Sequence, residues 1–514
     1  MKRWLEWPVG AIVAGALAVA GAGAVILSTA IDTEPRVTLA GPDRPVNPGA
    51  RNPGDISANN SPSAARNPRR PSNLVVANRI DTPLFSCALH VSLDGGAHWS
   101  DTRIPIPHGE ERKCFAPDVV FTADGTLHMS YVTLRGAGNT PHAGWIVSSR
   151  DGGRTLSPPR RVLGPLAFQV RLVADPRRPR TLYLTWLDAA AVGLYRLERP
   201  GNPIRLARSD DGGADWTSPA RVSSPARGRV LAPSPAVGPK GEVYVLYLDL
   251  GGDRLDYEGA HEGRGGPPYS GRFSLVLARS LDRGARWAES LVDDRIVPTE
   301  RFLSFLPPFP SLAVAADGRV YAAFTDGRFG SPDVLEWSLA AGAARWRGPV
   351  RVNDTPEQDG SSQYLPRLAV APNGRLDVVY YDRRADPRDV SNDVSLQSSY
   401  DRGRTFDASI RLSSRSFSSR IGFGSERDMP DLGSRLALLS DDGSARAFWA
   451  DTRAGTVASN KQDIASAEVR FSPAPAAAEP EKDALRFGGA LLVLAGLALA
   501  AALLARVRPL TLKG

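Results

Sequence analysis

Cysteine is nearly missing from this chain of 514 residues: only Cys87 and Cys114 occur. A lone pair matches no zinc-ligand spacing. In a domain outside the cytoplasm the pair is expected to close a disulfide, contributing roughly 3–4 kcal/mol by loop entropy. In a reducing compartment the two would be buried free thiols. Lysine is scarce too, confined to Lys2, Lys113, Lys240, Lys461, Lys482 and Lys513. The formal net charge of +8 is therefore carried by arginines, and these are spread along the chain with acids among them. That spread reads as a solvated surface, not as the basic stripe that tracks a nucleic-acid backbone. His90, His98, His108 and His128 cluster only loosely, and no two of them have metal-ligand spacing on one element. There is no Walker loop and no dinucleotide fingerprint, so neither a metal nor a cofactor is expected.

What is present is ordinary in amount and unusual in arrangement. Apolar residues make up 42% and charged residues 23%, as in globular proteins. Met1-Lys2-Arg3 precedes an uncharged apolar run from Trp7 to Leu27, and Ser28-Thr29-Ala30 offers small residues for a cleavage site. Residues 1–31 are read as a signal peptide or an uncleaved anchor. Residues 32–60, rich in Pro, Gly and Asn, are read as a linker in which Arg36–Ala40 can form one strand. At the other end, residues 472–485 form a second linker. Residues 486–506 are expected to be a transmembrane helix, with Phe487 to Ala505 uncharged, followed by a short basic tail at 507–514. Arg506, Arg508 and Lys513 put that tail in the cytoplasm by the positive-inside rule. Everything between the two apolar runs is then extracytoplasmic, at the cell membrane.

The middle of the chain repeats itself. Ser92-Leu-Asp94-Gly-Gly-Ala-His-Trp99 recurs as Ser149-Arg-Asp151-Gly-Gly-Arg-Thr-Leu156 and Ser209-Asp-Asp211-Gly-Gly-Ala-Asp-Trp216. It returns as Ser280-Leu-Asp282-Arg-Gly-Ala-Arg-Trp287 and Ser399-Tyr-Asp401-Arg-Gly-Arg-Thr-Phe406, with a worn copy at Ser338-Leu-Ala340-Ala-Gly342. The Asp can accept backbone amides ahead of it, the Gly can take positive φ, and the aromatic can pack between sheets. This pattern resembles the Asp-box (BNR) repeat of the sialidase-like β-propellers, over about Ser61 to Phe471. The resemblance implies an all-β fold whose boxes are structural, on turns facing away from any active site.

The box positions lie roughly sixty residues apart, a period that fits a four-stranded blade. Each unit opens with a strand, a tight turn and a second strand, as in Pro310-Ser-Leu-Ala-Val-Ala-Ala-Asp-Gly318-Arg-Val-Tyr-Ala-Ala-Phe324. Such openings start near Ser61, Ala116, Gln169, Ser234, Pro310, Pro366 and Ser434. They predict a propeller of seven blades over 61–471, or six, the usual sialidase number, if a terminal unit is irregular. The last unit is one strand short, and Arg36–Ala40 is expected to supply that strand and close the ring.

A second pattern marks the ends of the second strands. Phe324-x-Asp326-x-Arg328, Tyr380-x-Asp382-x-Arg384 and Trp449-x-Asp451-x-Arg453 are full copies. Trp186-x-Asp188, Tyr247-x-Asp249 and Tyr131-x-Thr133-x-Arg135 are partial. Spacing by two places these side chains on one strand face, and the fold returns each strand end to one rim. Arg135, Arg328, Arg384 and Arg453, with Asp326, Asp382 and Asp451, are therefore candidates for binding an anionic ligand. The competing reading is that each Asp locks an Arg between neighbouring blades.

Sialidases hold the substrate carboxylate with three arginines and use a Tyr nucleophile helped by a Glu, with an Asp acid/base. Here the sole Arg-Ile-Pro, Arg103-Ile104-Pro105, follows the first box instead of preceding it, and Tyr257-Glu258 sits in a Gly-rich insertion. No nucleophile pair can be carried over. The expected function is thus a membrane-anchored propeller binding a glycan or protein on one rim. A divergent hydrolase acting on anionic glycans is the alternative, and a scaffold in envelope assembly a third.

Overall fold

A computed structural model describes residues 36–52, 54–190, 202–253, 269–299, 309–422, 431–472 and 479–505, with 13, 15–20 and 22. Seven antiparallel sheets follow one another along the chain, at 59–101, 114–163, 167–221, 230–296, 311–351, 363–418 and 437–472. We number them blades 1 to 7, each counted from its first, innermost strand outward. The seventh lacks an outer strand of its own. Arg36–Leu39 and Arg44–Pro45 take that place against Asp463–Ser472. The expected seven-bladed ring, and its closure by the N-terminal segment, are both present; the six-bladed option is not.

The hairpins form where the sequence carries turn residues. Gly318 and Gly374 follow Asp317 and Asn373 at φ +82° and +90°, a region in which a side chain is strained. The second strands do not alternate. Val243–Asp249 (Val-Tyr-Val-Leu-Tyr-Leu-Asp) is buried at every position but the last, because each sheet face is covered by the adjacent blade. Each Asp box closes as its residues dictate. In blade 3 the Ser209 hydroxyl donates to Asp211 (2.8 Å) and accepts from the Gly213 amide (2.8 Å), while Asp211 accepts from the Ala214 and Asp215 amides (2.9 and 3.0 Å). Asp94, Asp151, Asp282 and Asp401 repeat the bond to their serines at 2.7–2.9 Å. Backbone bonding from His98 comes first among the causes that hold the Asp94 carboxyl far below its ordinary range.

Under four of the box glycines lies the third strand of the blade before, while Gly96 lies over Arg446 on a second strand. Gly153 sits over Val91, Gly213 over Ile146 and Gly284 over Leu206. Gly403 breaks the series, since the side chain beneath it is Glu336. Glu336 is fully buried, and neither carboxyl oxygen has a hydrogen-bond partner. Burial pushes its pKa well up, against the pull of Arg347 and Arg319.

Cys87 and Cys114 are joined as a disulfide, Cα–Cα 5.4 Å, tying the third strand of blade 1 to the first strand of blade 2. The C-terminal helix spans Glu479–Ala505, with Phe487, Leu491, Leu494 and Leu497 exposed along it. Among the described residues no helix is long and apolar enough to cross a membrane. Most of Trp7–Leu27 falls outside the described residues, as does the tail at 506–514.

Candidate functional site

The rim motif and the starts of the first strands lie at one end of the ring. Each first strand runs antiparallel to its second strand, so Gln363 at the start of one faces Asp382 at the end of the other. The box turns sit at the far end, after the third strands.

Each full motif folds back on itself through its backbone and then reaches the blade or segment before it. Asp326, wholly buried, accepts from the Arg328 amide (2.8 Å) and guanidinium (2.7 and 2.9 Å). Arg328 also pairs with Asp293 on the outer strand of blade 4 (3.0 Å). In blade 6, Arg384 Nε meets Asp382 at 2.7 Å and Arg384 Nη1 meets Asp354, in the connection from blade 5, at 2.6 Å. Arg453 binds Asp451 and crosses to Asp43 of the closing segment. For Arg328 and Arg384, burial disfavours the charge, but the paired carboxylates outweigh it and raise both pKa values. The partial motifs find arginines elsewhere in sequence. Asp188 pairs with Arg205 (2.6 Å) and Asp249 with Arg227 (2.8 Å). Arg135 is half exposed; it donates to the Gly109 carbonyl at 3.4 Å and lies 3.9 Å from Glu110, which is held more closely by His142 (2.9 Å).

A second set of side chains, not singled out from sequence, stands on the first strands. Ser61, Ala116, Gln169, Ala232 and Leu365 all have φ between +49° and +59°, and the strand register shifts just there. Gly433 takes the same place in blade 7 at φ +94°. Such bulges bend a strand and re-aim the next side chain. Two residues on stand Ser63, Asp118, Arg171, Ser234, Arg367 and Arg435. Asp118 forms an ion pair with Arg171 (Nε at 3.0 Å, without hydrogen-bond alignment) and accepts from the Leu172 amide at 2.9 Å and the Ser63 hydroxyl. Arg435 donates to the carbonyls of Pro117 (2.5 Å) and Pro62 (3.3 Å), in the first strands of blades 2 and 1. Arg171 lies over the Phe309 ring at 5.3 Å, and the Phe309 amide reaches the Ser434 carbonyl (3.4 Å). Residues from blades 1, 2, 3 and 7 thus converge on the axis, with Phe309 beside them.

Among the described residues, three guanidiniums there surround one carboxylate. Arg367 has a buried Nε with no hydrogen-bond partner. Burial and the neighbouring Arg171 push its pKa down to about 10. Burial, then Arg171, brings Arg435 to about 9, with Arg367 adding to the effect. Asp118 stays below its ordinary range although burial opposes it, because Arg171 and Arg435 hold it charged. A short anion acceptor suits this place: it would neutralise excess positive charge and use a waiting N–H. A partial sequence signal was the proline that precedes four of the six axial positions, at Pro62, Pro117, Pro233 and Pro366, though not Arg171 or Arg435.

Acid–base chemistry is less well served. Tyr247 does donate to Glu289, with Arg227 bridging Glu289 and Asp249. The Tyr247 side chain is fully buried, and burial followed by Glu289 raises its pKa strongly, the reverse of what a phenolate nucleophile needs. Tyr257-Glu258 lies outside the described residues. Arg103 is exposed in the loop after the first blade. His90 is taken up by Asp101 and Asn78, and burial drives His128 down to about 4. No metal-binding group occurs among the described residues.

No family model matches the chain. No curated protein matches it either. Solved structures do. The BP39L lectin from Burkholderia pseudomallei is 12% identical over 80% of this chain and 96% of its own, with a TM-score of 0.50. The PL25 ulvan lyase, a polysaccharide lyase, is 12% identical over 80% and 94%, TM-score 0.47. Hadza microbial sialidase Hz136 is 14% identical over 79% and 75%, TM-score 0.43. At these identities the likeness is one of fold.

Proposed function

We propose that this chain is a membrane-tethered, extracytoplasmic propeller that binds an anionic glycan or an acidic protein segment. The ligand sits on the face opposite the Asp boxes, at the axial arginines. One observation carries the reading: Arg367 presents a buried, unpartnered N–H beside Arg171 and Arg435, with only Asp118 to balance the three among the described residues. Buried excess charge of one sign is costly unless something pairs with it. The rim pairs at Arg328, Arg384 and Arg453 act as locks between blades, and they define the wall around the axis. The apolar end runs, and the leucines exposed along Glu479–Ala505, support the tether.

The test is a glycan array probed with the full-length chain in detergent, alongside an Arg367→Ala variant. Sulfated and uronic-acid glycans should bind. The variant should lose about tenfold or more, the cost of one charge-assisted bond. Binding that is confined to neutral glycans, or is unchanged in the variant, refutes the axial site. A hydrolase acting on anionic glycans remains the second reading, favoured only by the Tyr247–Glu289–Arg227 contact. Fluorogenic sialosides and uronides assay it on the same preparation: turnover lost in Glu289→Gln would replace the binding reading.

A further inference from the structure

The two ends of the propeller body come together on the Asp-box face. The Ala40 amide donates to the Glu468 carbonyl at 2.8 Å, where the chain starts and finishes its course through the ring. Arg446 fixes that point. Its Nη2 donates to the Gly95 carbonyl, inside the first Asp box, at 2.9 Å, and it pairs with Glu468. The direction of the strands agrees. Asp463–Ser472 is the third strand of blade 7, and third strands in the other blades run into box turns. Going the other way, Arg44 faces Ser466 and the Val46 amide reaches Ile464, so the N-terminal segment runs from the box face towards the rim. Beyond these ends the sequence passes to the apolar runs Trp7–Leu27 and Phe487–Ala505.

We infer that the Asp-box face is turned towards the lipid surface and the arginine-bearing face away from it, into the surroundings. This rests on the tethered reading above. The leashes are short: the eight residues 28–35 can span no more than about 28 Å even fully extended. A signal peptide removed at residue 30 would leave the C-terminal leash, which departs from the same point. The face itself suits the neighbourhood of headgroups. Leu93, Leu281 and Tyr400, at the tips of three boxes, are 47%, 70% and 40% exposed. Arg150, Arg154 and Arg404 stand exposed on the box turns beside them. Apolar tips ringed by arginine are what an interfacial contact uses. The box carboxylates on the same turns are spent on backbone amides and serines.

Fluorescence transfer on the full-length chain tests this. The native cysteines are consumed in the disulfide, so single labels can be placed at Leu281→Cys on the box face and at Arg388→Cys in a loop of the opposite face. The labelled protein is reconstituted in phosphatidylcholine–phosphatidylglycerol vesicles carrying an acceptor lipid, after flotation. Transfer from position 281 should be at least twice that from position 388. Equal transfer, or the reverse order, in protein that floats with the vesicles overturns the orientation and leaves the tether standing. Protein that does not float overturns the tether and the orientation with it. Arg388 and Leu281 belong to no ligand contact, so glycan binding by both labelled proteins should match the parent.

Discussion

Replacing Glu336 with leucine should make the protein more stable. Three other blades put an aliphatic side chain, Val91, Ile146 or Leu206, beneath the next box glycine. Blade 5 puts a carboxyl there, 2.9 Å from where a Cβ on Gly403 would stand, with both oxygens unpartnered. An unsatisfied buried polar group costs about 1–3 kcal/mol, and burying a leucine side chain contributes about 1.5–3 kcal/mol. Because the two side chains are similar in volume, the gain from Glu336→Leu should be about 2–4 kcal/mol at pH 8. For a chain of this size, 1 kcal/mol moves Tm by about 1 °C, so thermal scans should rise by about 2–4 °C. The pH dependence separates this account from generic repacking. The folded pKa of Glu336 is raised, so its protonated form contributes stability that is fully present below the unfolded value of about 4.3. That contribution is lost as pH rises through the folded pKa, at up to about 1.4 kcal/mol per unit. The gap between variant and parent should therefore be small at pH 4 and widen towards pH 8. A gap that stays constant, or a variant less stable than the parent, would mean that Glu336 is charged and paired with Arg347 or Arg319, and the reasoning would fall.

Arg384→Ala strips the partner from buried Asp382 and from Asp354; a loss of about 2–4 kcal/mol is expected, read as a lower denaturant midpoint. Paired Cys87→Ser and Cys114→Ser changes should cost about 3–4 kcal/mol by loop entropy, and scanning calorimetry with and without reductant should show the parent falling to the double variant. Lys461, nearly buried, donates its ammonium to the carbonyls of Gly49, Ala50 and Asn52. Lys461→Met should leave those carbonyls unbonded and make the 47–55 segment the first site of limited proteolysis, while the parent resists.

Much of this architecture was legible because it is local. A box needs a Ser, an Asp and a Gly within five residues, and a hairpin needs its Asp-Gly or Asn-Gly. Both are written in consecutive letters and repeated until the period shows. Ring closure was legible for a simpler reason, one strand short at one end and one spare strand at the other. The axial cluster was not. Arg171, Arg367 and Arg435 each stand alone on their own strands, and only the closed ring brings them within reach of Asp118. The rim motif was half legible. The Asp and Arg of Asp382-x-Arg384 do pair, but Arg205 for Asp188 and Arg227 for Asp249 come from outside the motif. Glu336 was invisible, since a carboxyl between Leu335 and Trp337 in a strand that also carries Asp333 and Ser338 reads as a surface position until the neighbouring blade covers it.

The bond network that closes the ring also sets a timetable. Asn47 receives the Ile464 amide (2.7 Å) and donates to Asp463 (2.8 Å), so the first segment of the body to leave the ribosome is held by the last. At about 5–20 residues per second it waits tens of seconds for its partner. During that time blade 7 does not exist and blade 1 has a bare flank. Six blades can stack in order as they emerge, but none of them can complete the circle. A chain interrupted anywhere before Asp463 would be an open arc with a waiting strand at one end, ready to take the seventh blade of another copy.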